Sequence, residues 1–202
     1  MKIKGINFLL LLGIVFFGFT ADYSRKINKC FISFNPDAGL VAATPDKLPK
    51  TAQPFRSVPT DDGDKFISRN AGYRILYNND KGAPFVNLKV ERCDNFSFNK
   101  DKQNLLSHFN FLISNGVNMA SAQITESDYS GFKVYGFSRN SIESGSTLGT
   151  YVLFAEPNMM VYFYFNNLQK EYRNFESVED YKLQRDSFIE GYTDHLKTCL
   201  AK

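Results

Sequence analysis

Apolar positions follow two different periods along this chain, and the switches between them outline its elements. "GYRILY" (72–77) and "PFVNLKVERC" (84–93) are β-rich runs on either side of Asn78-Asn79-Asp80-Lys81-Gly82, a turn cluster, so a hairpin is expected there. In "NKDKQNLLSHFNFLISNGVN" (99–118) the period changes. Leu105, Leu106, Phe109, Leu112 and Ile113 recur at spacings of three and four, which predicts a helix with one apolar face. Asn99 can cap it, Asp101 suits the positive end of its dipole, and Gly116 can end it. "AQITES" (122–127) and "GFKVYGFS" (131–138) flank Asp128 to Ser130 and predict a second hairpin, and "SRNSIESGSTLG" (138–149) reads as a loop.

The most apolar stretch outside the first twenty residues is "GTYVLFAEPNMMVYFYFNN" (149–167). It is not a membrane helix, because Glu156-Pro157-Asn158 splits it into halves too short to span. Proline fixes φ near −65° and asparagine tolerates positive φ, so Pro157-Asn158 fits the middle of a turn between two strands. Val161, Phe163 and Phe165 point to one face, Tyr162 and Tyr164 to the other. Val152 and Phe154 likewise oppose Tyr151, Leu153 and Ala155. Strands apolar on both faces belong in the middle of a sheet covered on both sides. A last helix follows: Ser177 with Asp180 imitates a capping box, and Tyr181, Phe188, Ile189, Tyr192, Leu196 and Leu200 form a stripe at helical spacing. The order β-β-α-β-β-β-β-α predicts an α+β fold, an antiparallel sheet packed by two main helices as an α/β/α-like sandwich.

The N-terminus adds an address. Lys2 and Lys4 precede an apolar run from Ile6 to Phe19, and Ala21 ends it, the pattern of a secretory signal peptide over residues 1–21. Phe19 departs from the small residue preferred there. Residues 22–66 hold five of the seven prolines and read as an extended, proline-rich arm, leaving 67–202 as a single α+β domain. A secreted or periplasmic location follows, with no integral membrane segment once the leader is cut.

Charge narrows the partners. Removing Lys2 and Lys4 with the leader takes the basic residues from 24 to 22, against 21 acidic ones. A near-neutral protein has no electrostatic reason to seek nucleic acid or an anionic membrane. The three cysteines, Cys30, Cys93 and Cys199, allow three pairings in an oxidising compartment. Cys30–Cys199 is favoured, because domain termini often lie close together and this bond closes the longest loop; Cys93 then stays outside it.

Chemical motifs are scarce. No nucleophile elbow, P-loop or dinucleotide fingerprint occurs, and Gly145-Ser146-Thr147-Leu148-Gly149 puts its serine out of place. His108 and His195 read as structural or solvated, the latter complementing the dipole of the last helix. Neither lies at ligand spacing from a cysteine pair, and Asp61-Asp62-Gly63-Asp64 lacks the EF-hand spacing, so no metal, cofactor or catalytic residue is assigned. Asn95-Phe96-Ser97 is a glycosylation sequon, meaningful only in a eukaryotic secretory pathway. Glu126, Asp128 and Glu156 near strand ends are the carboxylates a hydrolase would use. Tyr151, Tyr162 and Tyr164 form a same-hairpin cluster suited to stacking on a sugar or flat ligand.

The succession "GYRILYNN", "GFKVYGF", "GTYVLF…MMVYFYF" and "FESVEDYKLQRDSFIEGY" resembles the PsbP/DcrB/Mog1-like group of α/β sandwich domains over residues 70 to 200. The proline-rich arm and the three cysteines depart from it. The resemblance implies an exported or organellar accessory or binding domain and carries no catalytic motif. The expected function is therefore an exported, non-enzymatic accessory or binding protein, whose partner is an envelope or extracellular protein or a small ligand. A secreted hydrolase with a carboxylate site at the strand ends is the alternative.

Overall fold

The structure is a computed structural model, and it describes residues 27–36, 39–48, 53–54, 66–67, 69–93, 98–100, 102–107, 122–142, 146–155, 158–168 and 173–202. Residues 1–21, expected to be a leader, Asp61 to Asp64, the sequon, Glu156 and Pro157 lie outside them, as do Asp101, His108, Phe109, Leu112, Ile113 and Gly116 of the expected first helix. No helix among the described residues is long and apolar enough to cross a membrane.

Two apolar-rich runs joined by Asn79-Asp80-Lys81-Gly82 become β5 (Arg69–Asn78) and β6 (Pro84–Cys93). The Asn79 carboxamide organises their turn, accepting from the backbone N–H groups of Lys81 and Ala83 at 3.0 and 2.8 Å. The second hairpin joins β7 (Ala122–Tyr129) to β8 (Phe132–Arg139) through Ser130-Gly131, at φ of 56° and 89°. Positive φ at both central residues gives the turn whose twist matches two antiparallel strands, and a glycine holds the second place.

The third hairpin is β9 (Ser146–Ala155) and β10 (Met159–Asn167). Asn158 adopts φ 58° at its turn, as its tolerance of the left-handed region allows. β9 begins three residues earlier than the apolar pattern suggested. Ser146 and Thr147 pair with Asn167 and Asn166 across a bulge, so ladder hydrogen bonds from the neighbour override a loop-like composition.

All strands of the main sheet are antiparallel. Among the described residues its eight strands run β1 (Val41–Ala42), β5, β6, β10, β9, β8 and β7, with β2 (Asp46–Lys47) also on β5. The arm is less irregular than its prolines suggest. β1 (Val41–Ala42) and β2 (Asp46–Lys47) pair with β5, and β3 (Gln53–Pro54) pairs with β4 (Phe66–Ile67). β10 therefore sits mid-sheet, and Val161, Phe163 and Phe165 are fully buried.

Helical backbone is present at 98–100 and 102–107 (α1) and over Val178–Leu200 (α2). Ser177 Oγ accepts from Asp180 N at 3.0 Å, while the Asp180 carboxylate accepts from Glu176 N, so the expected reciprocal cap forms one residue out of register. On one face of the sheet, Val161, Phe163 and Phe165 cluster with Tyr181, Phe188, Ile189, Tyr192 and Leu196 of α2. Leu200, the last residue of the expected stripe, is 40% exposed. On the other face Cys93, Val152, Met160 and Tyr162 group with Phe98 and Leu105 of α1.

Candidate functional site

The N-terminal arm is fastened to α2, and the cleft of interest opens beside that join. Cys30 and Cys199 lie at disulfide distance with their Cα atoms 5.7 Å apart, so the favoured pairing is the one the fold brings together. Cys93 takes no part and is buried in the second cluster. Side chains then grip the arm's backbone one after another. His195 Nε2 lies 3.1 Å from Cys30 O and 3.3 Å from Ser33 Oγ, the Tyr192 hydroxyl donates to Phe31 O at 2.9 Å, and Tyr77 donates to Phe34 O at 3.2 Å. His195 is thus an anchor for the arm rather than a solvated helix end. The Phe34 ring packs edge-on against Phe188 and Tyr192, both with centroids 5.5 Å away. Gly191 offers no side chain where that ring lies on the helix.

Beyond Phe34 the arm runs along a cleft of about 1120 Å³. Phe34 to Pro36 with Gly39 and Leu40 form one wall, Asn79 to Lys81 and the loop Arg173 to Glu176 form the end, and the outer face of α2 from Asp180 to Asp194 forms the opposite wall. Its floor is apolar, with Phe34, Leu40, Phe85 and Phe188. Leu183 projects from the α2 wall at 72% exposure, the most exposed large apolar side chain among the described residues. Carboxylates (Asp80, Glu176, Asp180, Asp194) and cations (Lys81, Arg173) both line the cleft.

The two segments that form the end of the cleft are fixed to each other. Asn174 accepts from Asn79 Nδ2 at 2.7 Å and donates its own Nδ2 to Pro84 O and Asn166 O at 2.8 and 2.7 Å. Asn167 Oδ1 accepts from the N–H groups of Asn174 and Phe175. The β5–β6 turn, the end of β10 and the loop before α2 therefore form one hydrogen-bonded unit. Hydrogen bonds thus hold the end of the cleft in one arrangement, and a fixed wall lowers the cost of any binding.

A second polar locus is closed. Arg185, only 7% exposed, donates Nη1 to the Tyr151 hydroxyl at 3.0 Å, and that hydroxyl meets Tyr181 Oη at 2.9 Å. Its Nε and Nη2 hold the two Asp186 oxygens at 2.7 and 2.9 Å, and Tyr129 donates to Asp186 at 2.5 Å. Burial pulls the Arg185 pKa down, but the Asp186 carboxylate and Tyr151 more than restore it, leaving it raised. Burial, and then contact with Tyr151, pushes the Tyr181 hydroxyl up; burial, and then Asp186, does the same for Tyr129. A Cβ on Gly136 or Gly149 would collide with the Tyr151 ring, so the space is already full. This network orients α2 on the sheet and leaves no room for a reactant.

The three candidate tyrosines do not share a surface. Phe163 pairs with Tyr151, whereas Tyr162 and Tyr164 pair with Val152 and Thr150. Strand alternation therefore turns Tyr151 towards α2 and the other two to the opposite face. There Tyr162 and Tyr164 lie nearly parallel with centroids 6.2 Å apart, and Lys89 Nζ sits 4.2 Å above the Tyr162 ring. Burial and Glu91 push the Tyr164 hydroxyl up to about 12.

Of the candidate carboxylates, Glu126 is paired with Lys133 at 2.7 Å and exposed, and Asp128 accepts from Gly131 N at 2.8 Å in the β7–β8 turn. The described residues contain no group of three His, Cys, Asp or Glu placed to hold a metal ion. The sequence signal for the cleft was Leu183, a leucine off the α2 apolar stripe; the walls it faces are assembled from distant segments. Comparison of the chain with protein-family models, curated proteins and solved structures finds no match.

Proposed function

We propose that this protein is exported by its first 21 residues and works there as a non-enzymatic accessory or binding protein, with the cleft beside α2 as its binding site. The observation that carries this is the cleft: an apolar floor for contact area and a polar rim for orientation, the usual make-up of a ligand site. Leu183 adds an exposed apolar anchor on a rigid helix. The occupant is an envelope or extracellular protein, through one inserted segment, or a small ligand. We read the two clusters as the two sides of an α/β/α-like sandwich of the PsbP/DcrB/Mog1-like kind, with the cleft added by the arm. For the hydrolase alternative, Glu126 pairs with Lys133 at the surface and Asp128 accepts in a turn, while Glu156 lies outside the described residues.

The test is affinity capture from the native envelope fraction with wild type and with Leu183→Asp, which places a charge on an exposed site without touching the core. One partner recovered by wild type and lost by the variant supports the reading. Equal recovery by both moves the site away from the cleft. Hydrolysis of an extracellular substrate that Glu126→Gln or Asp128→Asn abolishes, with the fold intact, replaces binding by catalysis.

A further inference from the structure

We propose that the cleft receives the free C-terminus of a partner protein, with Arg173 holding the terminal carboxylate and the floor taking an apolar last residue. The inference rests on the binding reading above and names what the same site recognises. Arg173 lines the end of the cleft and is half-buried. Its Nε is shielded from water and makes no hydrogen bond, and no carboxylate among the described residues pairs with its guanidinium. A group in that state has given up solvent without gaining an acceptor, which is costly until a ligand supplies one. The planar fork of guanidinium donors matches the two oxygens of a carboxylate. Lys81, exposed in the turn that Asn79 ties to Asn174 at 2.7 Å, adds a second cation at this end. Asp80 and Glu176 are exposed there too, so water screens them, but they disfavour a dianionic phosphate more than a singly charged carboxylate.

The apolar floor begins beside this end. Phe85 follows Pro84, whose carbonyl accepts from Asn174, and its ring lies 5.2 Å from that of Phe175. Phe188 continues the floor at 6.3 Å from Phe85, and Phe34 at 5.5 Å from Phe188. An anion held at Arg173 therefore sets the group that carries it on aromatic rings. The α2 wall decides what that carrier is. Asp180, Gln184, Ser187 and Asp194 line the cleft with acceptor oxygens. Asp180 and Asp194 keep lone pairs after accepting from Gln184 and Ser130. A fatty acid has no donor to offer these oxygens and strips their water without replacement, whereas a peptide brings an N–H at almost every residue. From Asp180 to Asp194 the wall is about 21 Å long at about 1.5 Å per helical residue, room for about six residues of extended chain.

The probes are N-terminally labelled hexapeptides with randomised upstream positions and Leu, Ile, Val, Phe or Met last, made as free acids and as C-terminal amides. Fluorescence anisotropy reads their binding to the protein purified from its native compartment. The free acids are expected to bind, and the amides to bind about tenfold or more weaker. Arg173→Gln is expected to bring the acids down to the level of the amides and to leave the amides unchanged. Lys81→Gln, at an exposed position that does not bear on the fold, is expected to weaken the acids about twofold and spare the amides. Acids and amides bound equally by wild type, and both lost in Leu183→Asp, overturn the proposal while the cleft remains the binding site. Dodecanoate bound through Arg173 where the peptides are not makes the ligand an acyl carboxylate and overturns it as well. Failure of both peptide sets also overturns it, and the binding reading is then decided separately by the Leu183→Asp capture.

Discussion

Phe163→Ala tests whether the β9–β10 hairpin is the centre of the fold. Phe163 is fully buried at mid-sheet, facing Phe188 at 6.3 Å and Tyr192 at 5.2 Å, both edge to face. Truncating a buried phenylalanine costs about 3–5 kcal/mol, transfer and cavity together. The upper half of that range applies here, because two aromatic contacts of about 0.5–1.5 kcal/mol each go with the ring. Against a total stability of about 5–15 kcal/mol, the loss is a large share. The chain has no tryptophan, so far-UV circular dichroism in urea is the suitable readout. With a slope of about 2 kcal/mol/M, the midpoint should fall by about 2 M with the slope unchanged. A loss below about 1 kcal/mol would refute the placement, and lost binding without lost stability would restore an aromatic ligand surface on this hairpin.

Two further perturbations probe the polar network and the buried hydroxyls. Gly149→Ala puts a methyl group against Tyr181 Oη and the Tyr151 ring, so thermal unfolding should show a loss of about 1–3 kcal/mol; a neutral result would mean the network is not close-packed. Burial raises the hydroxyl pKa of Tyr77, Tyr181 and Tyr192, and that of Tyr164 to about 12. A folded value above the unfolded one of about 10 contributes stability that is complete below pH 10 and lost as pH rises through the folded value, from 10 to 12 for Tyr164. Ultraviolet titration should therefore find these tyrosines un-ionised until the alkaline transition, and ionisation of all eleven near pH 10 in a folded protein would contradict their burial.

What the sequence shows and hides follows from range. The β9–β10 hairpin is legible because Asn158 sits between two runs apolar on both faces, and α2 because its stripe repeats over four turns. The Ser130-Gly131 turn is legible for the same local reason. β1 and β2 are not: two residues each carry no period, and only β5 makes them strands. Arg185 is instructive, since it occupies a stripe position four residues after Tyr181 and reads there as a break in an apolar face. Its burial makes sense only once Asp186 and Tyr151 are in place. Tyr151 stands in the same hairpin as Tyr162 and Tyr164, and only the pairing register separates it from them. The cleft has no local signature beyond Leu183, because Phe34, Asn79 and Asn174 meet only through tertiary contacts.

The central claim, that partners enter between the arm and α2, is tested most directly by photo-crosslinking in the native compartment. A photoreactive residue replaces Leu183 in the cleft in one variant, and Phe137, 40% exposed on β8 and outside the cleft, in another. A discrete adduct from position 183 and none from 137 is the expected result. An adduct from 137 alone, or none from 183 while the protein is folded and exported, would contradict it.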